Sequence, residues 1–298
     1  MTDRPAAGQG TRPPLQGRRI ARRPGIGVAL RVLQQRALHI SGVFVEQPGI
    51  SLVRRGEKRV AVGDFDALIR EGEAVALPAG ATLEVTNVAD ASGLYEALSL
   101  VPDPALLDAT ANGSALRAPV HIGPLRSDFS DAVVRAIAAI DAPDTVPEAV
   151  AALRMREVLA WLGEAGVVFA APRPTSAMLR VRMLVSEEPA RPWSGPEVAQ
   201  ALAMSEATLR RRLAAEGTSL SALLVEVRMA TALVMLQASD RPVAEIALDV
   251  GYGSPSRFAS RFRARYGHPP HAVRDGDPDF DRRGTENDRP GSALTLAR

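Results

Sequence analysis

Apolar positions change their period along the chain. In residues 25–101 they come as short β-branched runs, GVFVEQ, GISLVRRG, EKRVAVGDFDALI, EAVALPAG and ATLEVTNV, cut by Gly, Pro and Asn. Such runs predict strands, and several at close spacing predict a small antiparallel barrel or sandwich. In residues 128–169 the period lengthens. Phe129, Val133, Val134 and Ile137 fall at helical spacing with Ser127 or Ser130 as cap, and after a break at 141–147 a second amphipathic run carries Val150, Leu153, Val158, Trp161 and Leu162. An apolar stripe must be buried somewhere, so this pair would close a cavity, dimerise or cover the strands.

Pro172 and Pro174 punctuate a linker at 173–177, and a helix begins at Met178. Ser194 with Glu197 three residues on is a capping-box pattern opening a short helix with Val198, Leu202 and Met204 on its apolar side. Ser205 to Thr208 opens the next, with Leu209 and Leu213 inward and Arg210, Arg211 and Arg212 outward. Residues 220–238, LSALLVEVRMATALVMLQA, predict a connecting helix of about 25 to 30 Å. Beyond it Val243, Ile246, Ala247 and Val250 form an apolar stripe, and Pro242 suits the first turn. Gly251-Tyr252-Gly253 supplies a turn, and Ser254-Pro255 reads as an N-cap followed by proline at the first helical position. Phe258, Phe262 and Tyr266 point inward there, leaving Ser256, Arg257, Ser260 and Arg261 outward. These are two helix-turn-helix units. A spacer of that length holds two recognition helices about one DNA turn, ~34 Å, apart.

Charge sharpens the division. Residues 25–172 carry 12 basic and 18 acidic side chains, whereas residues 173–274 carry 14 arginines and nine acids. An acidic front and a basic back point to a polyanion partner for the back. Residues 1–24, with six arginines, one aspartate and much Pro and Gly, read as a disordered basic tail, and 275–298 as a second one. Zero cysteines exclude disulfides and thiolate chemistry, and they fit a cytoplasmic location. No hydrophobic leader or bilayer-length run is expected, so no membrane partner is. Lys58 is the only lysine beside 35 arginines, a bias read as genome composition.

The segment from Gly72 to Asn87 resembles the second cupin motif, G-x5-P-x-G-x2-H-x3-N, at Gly72, Pro78, Gly80 and Asn87. Leu83 stands where cupin enzymes place a metal-binding histidine, and His39 and His121 are isolated. A metal-free barrel is therefore expected, able to hold one small ligand. MSEATLRRRLAAEGTSL (204–220), RMATALVMLQASDRPVAEIALDVGYGSPSRFASRFRARYG (228–267) and HPPHAVR (268–274) resemble the DNA-binding domain of the AraC/XylS family of bacterial transcription regulators. That resemblance implies base contacts from Ala207, Arg210 and Arg211 and from Ser256, Arg257, Ser260 and Arg261, with Ser205 and Thr208 near phosphate. Arg212, Arg263 and Arg265 would serve phosphates or surface solubility. Ala207 is smaller than the residues often found there, and Gly253 departs from the family's larger choices and would loosen the turn.

The expectation is an α+β multidomain chain: a cupin-like β-barrel at 25–110, a helical, dimerisation-competent extension at 111–172, and an all-α domain with two helix-turn-helix motifs at 178–274. Its function would be sequence-specific DNA binding and transcription regulation, as an activator working with RNA polymerase on double-stranded promoter DNA. Control would come from a small-molecule effector in the barrel or from homodimerisation, with no cofactor, metal or catalytic residue. The acidic front makes an anionic effector less natural unless Arg31, Arg36, Arg54, Arg55, Lys58 or Arg59 faces the pocket. The rival readings are a constitutive DNA-binding protein with a ligand-free dimerisation scaffold, and a cupin enzyme fused to a DNA-binding domain.

Overall fold

A computed structural model describes residues 17–107, 115–171 and 176–275. The tail readings at 1–16 and 276–298, the proline linker at 172–175 and the barrel-to-extension boundary at 108–114 lie outside the described residues.

Ten antiparallel strands come first: β1 (Arg19–Arg23), β2 (Gly27–Gln34), β3 (Leu38–Phe44), β4 (Gly49–Arg55), β5 (Glu57–Val62), β6 (Phe65–Ile69), β7 (Ala74–Leu77), β8 (Thr82–Val88), β9 (Tyr95–Pro102) and β10 (Val120–Ile122). They form a six-stranded sheet ordered β1-β2-β9-β4-β7-β10 and a four-stranded sheet ordered β3-β8-β5-β6. Among the described residues no ladder joins the two. This corrects the closed barrel: the expected β-rich domain is present as a two-sheet sandwich. Strand alternation explains how the larger sheet serves two cores. Val53, Val75, Tyr95 and Ala97 face the smaller sheet, where they meet Val60, Ile69, Leu83 and Val85. Ile50, Leu52, Ala74, Ala76, Leu98 and Leu100 face the other way, onto α1 (Ser127–Asp141) and α2 (Glu148–Glu164).

Two further differences concern boundaries. Residues 19–23, expected in the disordered tail, form β1 because Arg23 finds buried acceptors, the carbonyls of Ala139 and Val146, each at 2.8 Å. Satisfying a buried charged donor this way removes the main obstacle to folding such an arginine-rich strand. Residues 120–122, expected in the helical extension, pair with β7. Neither Ser127 nor Ser130 caps α1, whose N-cap is Arg126.

The back of the chain is helical: α3 (Ala177–Glu187), α4 (Gly195–Ala201), α5 (Glu206–Ala215), α6 (Leu220–Ala238), α7 (Val243–Asp249), α8 (Pro255–Tyr266) and α9 (Ala272–Asp275). The central spacer α6 has the bounds that its sequence implies. Leu223 and Val227 in its first half pack with α3, α4 and α5, while Met229, Ala232, Leu233 and Leu236 in its second half pack with α7 and α8. By length and composition α6 is apolar enough to cross a bilayer, which corrects the expectation of no such run. Its apolar side chains instead build both helical cores.

The front and back are not independent. Leu38 and Ile40 of β3 belong to the core of α6, α7 and α8, fully buried there. Each contributes about 1.5–3 kcal/mol by leaving water. Arg182 of α3 crosses the same seam. It lies 3.8 Å from the Phe44 ring centroid, 2.8 Å from Glu226 and 4.0 Å from Glu46, and the Ser186 hydroxyl donates to Glu46 at 2.8 Å. Burial pushes the Glu46 carboxyl above its ordinary range, against the pull of Ser186 and Arg182.

Candidate nucleic-acid interface

The two helix-turn-helix units repeat one hydrogen-bond pattern. In the first, the amide of Ala203 donates to Gln200 and that of Met204 to Ala199; in the second, Gly251 donates to Leu248 and Tyr252 to Ala247. Both turns demand one left-handed residue, Ala203 at φ 53° and Gly251 at φ 83°. A side chain at Gly251 would also meet the Ala190 backbone at 3.1 Å, so glycine is required twice over. Gly253 faces open space. Gly251→Ala should therefore cost about 1–2 kcal/mol. Gly253→Ala should gain about 0.4–1 kcal/mol by restricting the unfolded chain. Thermal unfolding of the two variants checks the contrast, and equal shifts would contradict it.

Local signals set both recognition helices. The Ser194 hydroxyl and Glu197 form a reciprocal capping box before α4, and the Ser194 hydroxyl holds the Glu197 carboxyl below its usual range. Ser205 accepts from the Thr208 amide at 3.2 Å to start α5, and Ser254 accepts from the Arg257 amide to start α8 with Pro255 behind it. Phe258, Phe262 and Tyr266 then form an inward ladder with centroids 5.7 and 4.8 Å apart, capped by Tyr252 edge-on to Phe258.

What remains outward separates two kinds of arginine. Arg228 donates to Pro189 and Arg191 carbonyls, Arg180 to Leu202, and Arg241 pairs with Glu245 and Asp249. These hold the fold together. Arg210, Arg211 and Arg212 on α5 and Arg257, Arg261 and Arg263 on α8 are exposed and make no ion pair with the described residues. Ser256, Ser260 and Ala207 are exposed beside them, whereas Thr208 is half-buried and takes a hydrogen bond from the Ser205 hydroxyl at 2.9 Å. Ser205 is thus occupied as a cap. Arg265 does not join the group: its guanidinium donates to the carbonyls of Ser41 at 3.3 Å and Gly42 at 2.6 Å, tying α8 to β3. It shares the face of Arg261 but lies one turn further along α8, where the end of the helix comes up against the β3 backbone.

Of the front-domain cations expected to reach a pocket, Arg31 lines a small cleft with Arg19, Ile137 and Asp141 while pairing with Glu96. Arg54 is engaged by Ser130, Arg55 by Asp90 and Arg59 by Asp66 at the surface. Arg36 is exposed. Lys58 faces inward. His39 contacts Thr86 and Ser41, His121 contacts Glu73, and Leu83 fills the inter-sheet core; among the described residues no three His, Asp or Glu side chains converge. The sequence reading missed Arg182, Glu46 and Gln34, which lie at the seam and carry no motif.

A family model described as the AraC-type transcriptional regulator N-terminus matches residues 29–165, and a helix-turn-helix domain model matches residues 198–276. The chain belongs to the AraC/XylS family. The urease operon transcriptional activator of Escherichia coli is 37% identical over 102 residues, 33% of this chain and 34% of that protein. The regulator YdeO of E. coli K12 is 34% identical over 96 residues, 32% of this chain and 37% of its own. The matched region therefore spans only about a third of these relatives. A solved structure of ToxT from Vibrio cholerae, bound to an unsaturated fatty acid, superposes with a TM-score of 0.56 at 14% identity over 81% of this chain and 92% of that one. That likeness concerns the fold: a β-rich front joined to a helical back.

Proposed function

We propose that the chain is a sequence-specific DNA-binding regulator of transcription, acting as an activator that engages RNA polymerase at promoter DNA in the cytoplasm. The observation that carries this is the pair of outward helices α5 and α8, each presenting unpartnered arginines, held at the two ends of α6. An arginine can grip guanine O6 and N7 with two hydrogen bonds, or a phosphate at the groove edge. Nineteen residues of α6 set a separation of about 28 Å along its axis, close to one turn of duplex. Arg210, Arg211, Arg257 and Arg261 would read bases with Ser256 and Ser260. Ala207 offers only a methyl contact.

The front domain would supply control, through homodimerisation or a small-molecule effector; the fatty acid held by ToxT supports the second route. The work asked of the chain is differential binding and needs no catalytic residue.

The test is fluorescence anisotropy on a duplex selected from random sequence by the full chain. Arg211→Ala and Arg257→Ala should each cost about 1–3 kcal/mol on that duplex and little on scrambled DNA. Arg241→Ala, whose guanidinium is engaged by Glu245 and Asp249, should leave affinity near wild type. Equal losses on selected and scrambled DNA would make these arginines phosphate contacts only.

A further inference from the structure

The first recognition helix is seated more lightly than the second. Among the ten residues of α5, two side chains are buried, Leu209 and Leu213, one turn apart on a single stripe. α8 buries Phe258, Phe262 and Tyr266 and is tied to β3 through Arg265. Apolar contact is non-directional, so two leucines hold α5 against the core without fixing its tilt; hydrogen bonds at its ends do that. At the N-terminal end the Ser205 cap serves α5 itself. At the C-terminal end the Thr218 amide donates to the Leu213 carbonyl at 2.9 Å and the Gly217 amide to that of Ala214 at 3.0 Å, with Gly217 at φ 73°. This paired closure ends a helix on a left-handed glycine, and it fixes the backbone of Glu216, the residue before.

From that fixed point the Glu216 side chain crosses to the start of α3. Its Oε1 accepts from the Ala177 amide and its Oε2 from the Met178 amide, each at 2.8 Å. These are two of the amides that a helix start leaves without an internal partner; the next, that of Leu179, is taken by the Ser176 hydroxyl at 3.1 Å. A carboxylate on two such amides combines charge-assisted bonds with the positive end of the helix dipole. Ser176 already starts α3 locally, so the grip of Glu216 from 39 residues away adds a connection between two helices. Ala177 and Val181 of α3 lie in the same core as Leu209 and Leu213. α5 is thus held by an apolar contact along its length and by a two-pronged polar one at its end, which together set an angle.

We propose that Glu216 is a positioning residue for DNA reading: by gripping the first turn of α3 it sets the angle at which α5 presents Arg210 and Arg211. The proposal rests on the reading of α5 as a base-contacting helix and adds the device that aims it. Two-bond recognition of a guanine edge requires placement to within about 0.5 Å and 10–20°. With Glu216 truncated, α5 stays seated on its leucines while its C-terminal end is released. Arg210 and Arg211 then still reach phosphates through their long side chains and lose the base edges. α8, held by its aromatic side chains and by Arg265, keeps its reading.

The experiment measures the affinity of the full chain for the selected duplex and for two derivatives, each with one half of the site scrambled. The ratio of affinities, selected over scrambled, is the discrimination of that half, and the half whose ratio collapses in Arg211→Ala belongs to α5. Glu216→Ala should lower the α5 ratio about tenfold, the loss of one good two-bond base contact. The α8 ratio should stay within about twofold of wild type, as for a distant, independent site. Glu216→Gln, which keeps the reach and one accepting oxygen, should fall between. Lower stability alone reduces the active fraction equally on all three duplexes and moves neither ratio, and a preserved α8 ratio shows that the variant is folded. An α5 ratio unchanged in Glu216→Ala, or both ratios falling together, overturns the proposal and leaves the reading of α5 standing. A chain in which Arg211→Ala changes neither ratio sinks that reading, and the positioning role with it.

Discussion

Phe262→Ala lowers the unfolding free energy of the full chain by about 3–5 kcal/mol, the range for truncating a buried aromatic. Phe262 is fully buried, with ring neighbours Phe258 at 5.7 Å and Tyr266 at 4.8 Å. Its loss removes both aromatic contacts, and short helices on either side leave little means of collapsing the cavity. The damage reaches the front domain as well, because Leu38 and Ile40 share this core. Urea unfolding in a Trp193→Phe background, followed by circular dichroism and by the fluorescence of the remaining Trp161, should therefore show both signals moving to lower denaturant. Ser260→Ala, two residues away on the exposed face, should change stability by less than about 0.5 kcal/mol. A loss below about 1 kcal/mol for Phe262→Ala would mean that α8 is not seated on the core as described.

Arg182→Leu costs about 3 kcal/mol near neutral pH, the low end for removing one partner of a buried ionic cluster, since Glu226 and Glu46 keep some exposure. Arg182 itself is almost inaccessible and is the cation that both carboxylates and the Phe44 ring face. The pH dependence has a definite sign. Folding already raises the Glu46 pKa by burial, so above about 4.5 the native state holds more protons than the unfolded chain, and stability falls as pH rises through that window. Without Arg182 the pKa rises further and the window widens. The variant should thus be least impaired near pH 4–5 and most impaired at neutral pH and above. A penalty that is flat across pH 4.5–7.5 would show that Glu46 does not depend on Arg182.

Local signals in the sequence reached far into the helical half. Ser194, Ser205 and Ser254 each announce a helix through a short side chain that satisfies an orphan amide, and all three cap as expected. Residues 220–238 form one helix because nothing in LSALLVEVRMATALVMLQA interrupts it. The front half was legible as strands and not as an arrangement of strands. Pairing of β9 between β2 and β4 joins residues far apart in the chain, and no local pattern encodes it. RIARR reads as a solvated tail until Arg23 meets carbonyls over a hundred residues away. Leu38 and Ile40 look like any inward strand residues; that their inside is the helical domain's core depends on how two domains dock.

The candidate interface divides the same way. Outward arginines on α5 and α8 follow from helical period alone, whereas Arg265 has the same period and a different neighbour, the β3 backbone. Lys58 stands out in composition, yet only strand register brings it to Asn87, and Asn87 to Gln34. A motif reading of Asn87 found the position and could not have found the contact.

The central claim is that one chain reads two successive major grooves through α5 and α8. Methylation interference on the selected duplex tests it directly. The expected pattern is two blocks of guanines whose methylation prevents binding, on one face of the DNA and centred about 10–10.5 base pairs apart, with Arg211→Ala erasing one block and Arg257→Ala the other. A single block, or two blocks that both variants leave intact, would contradict it.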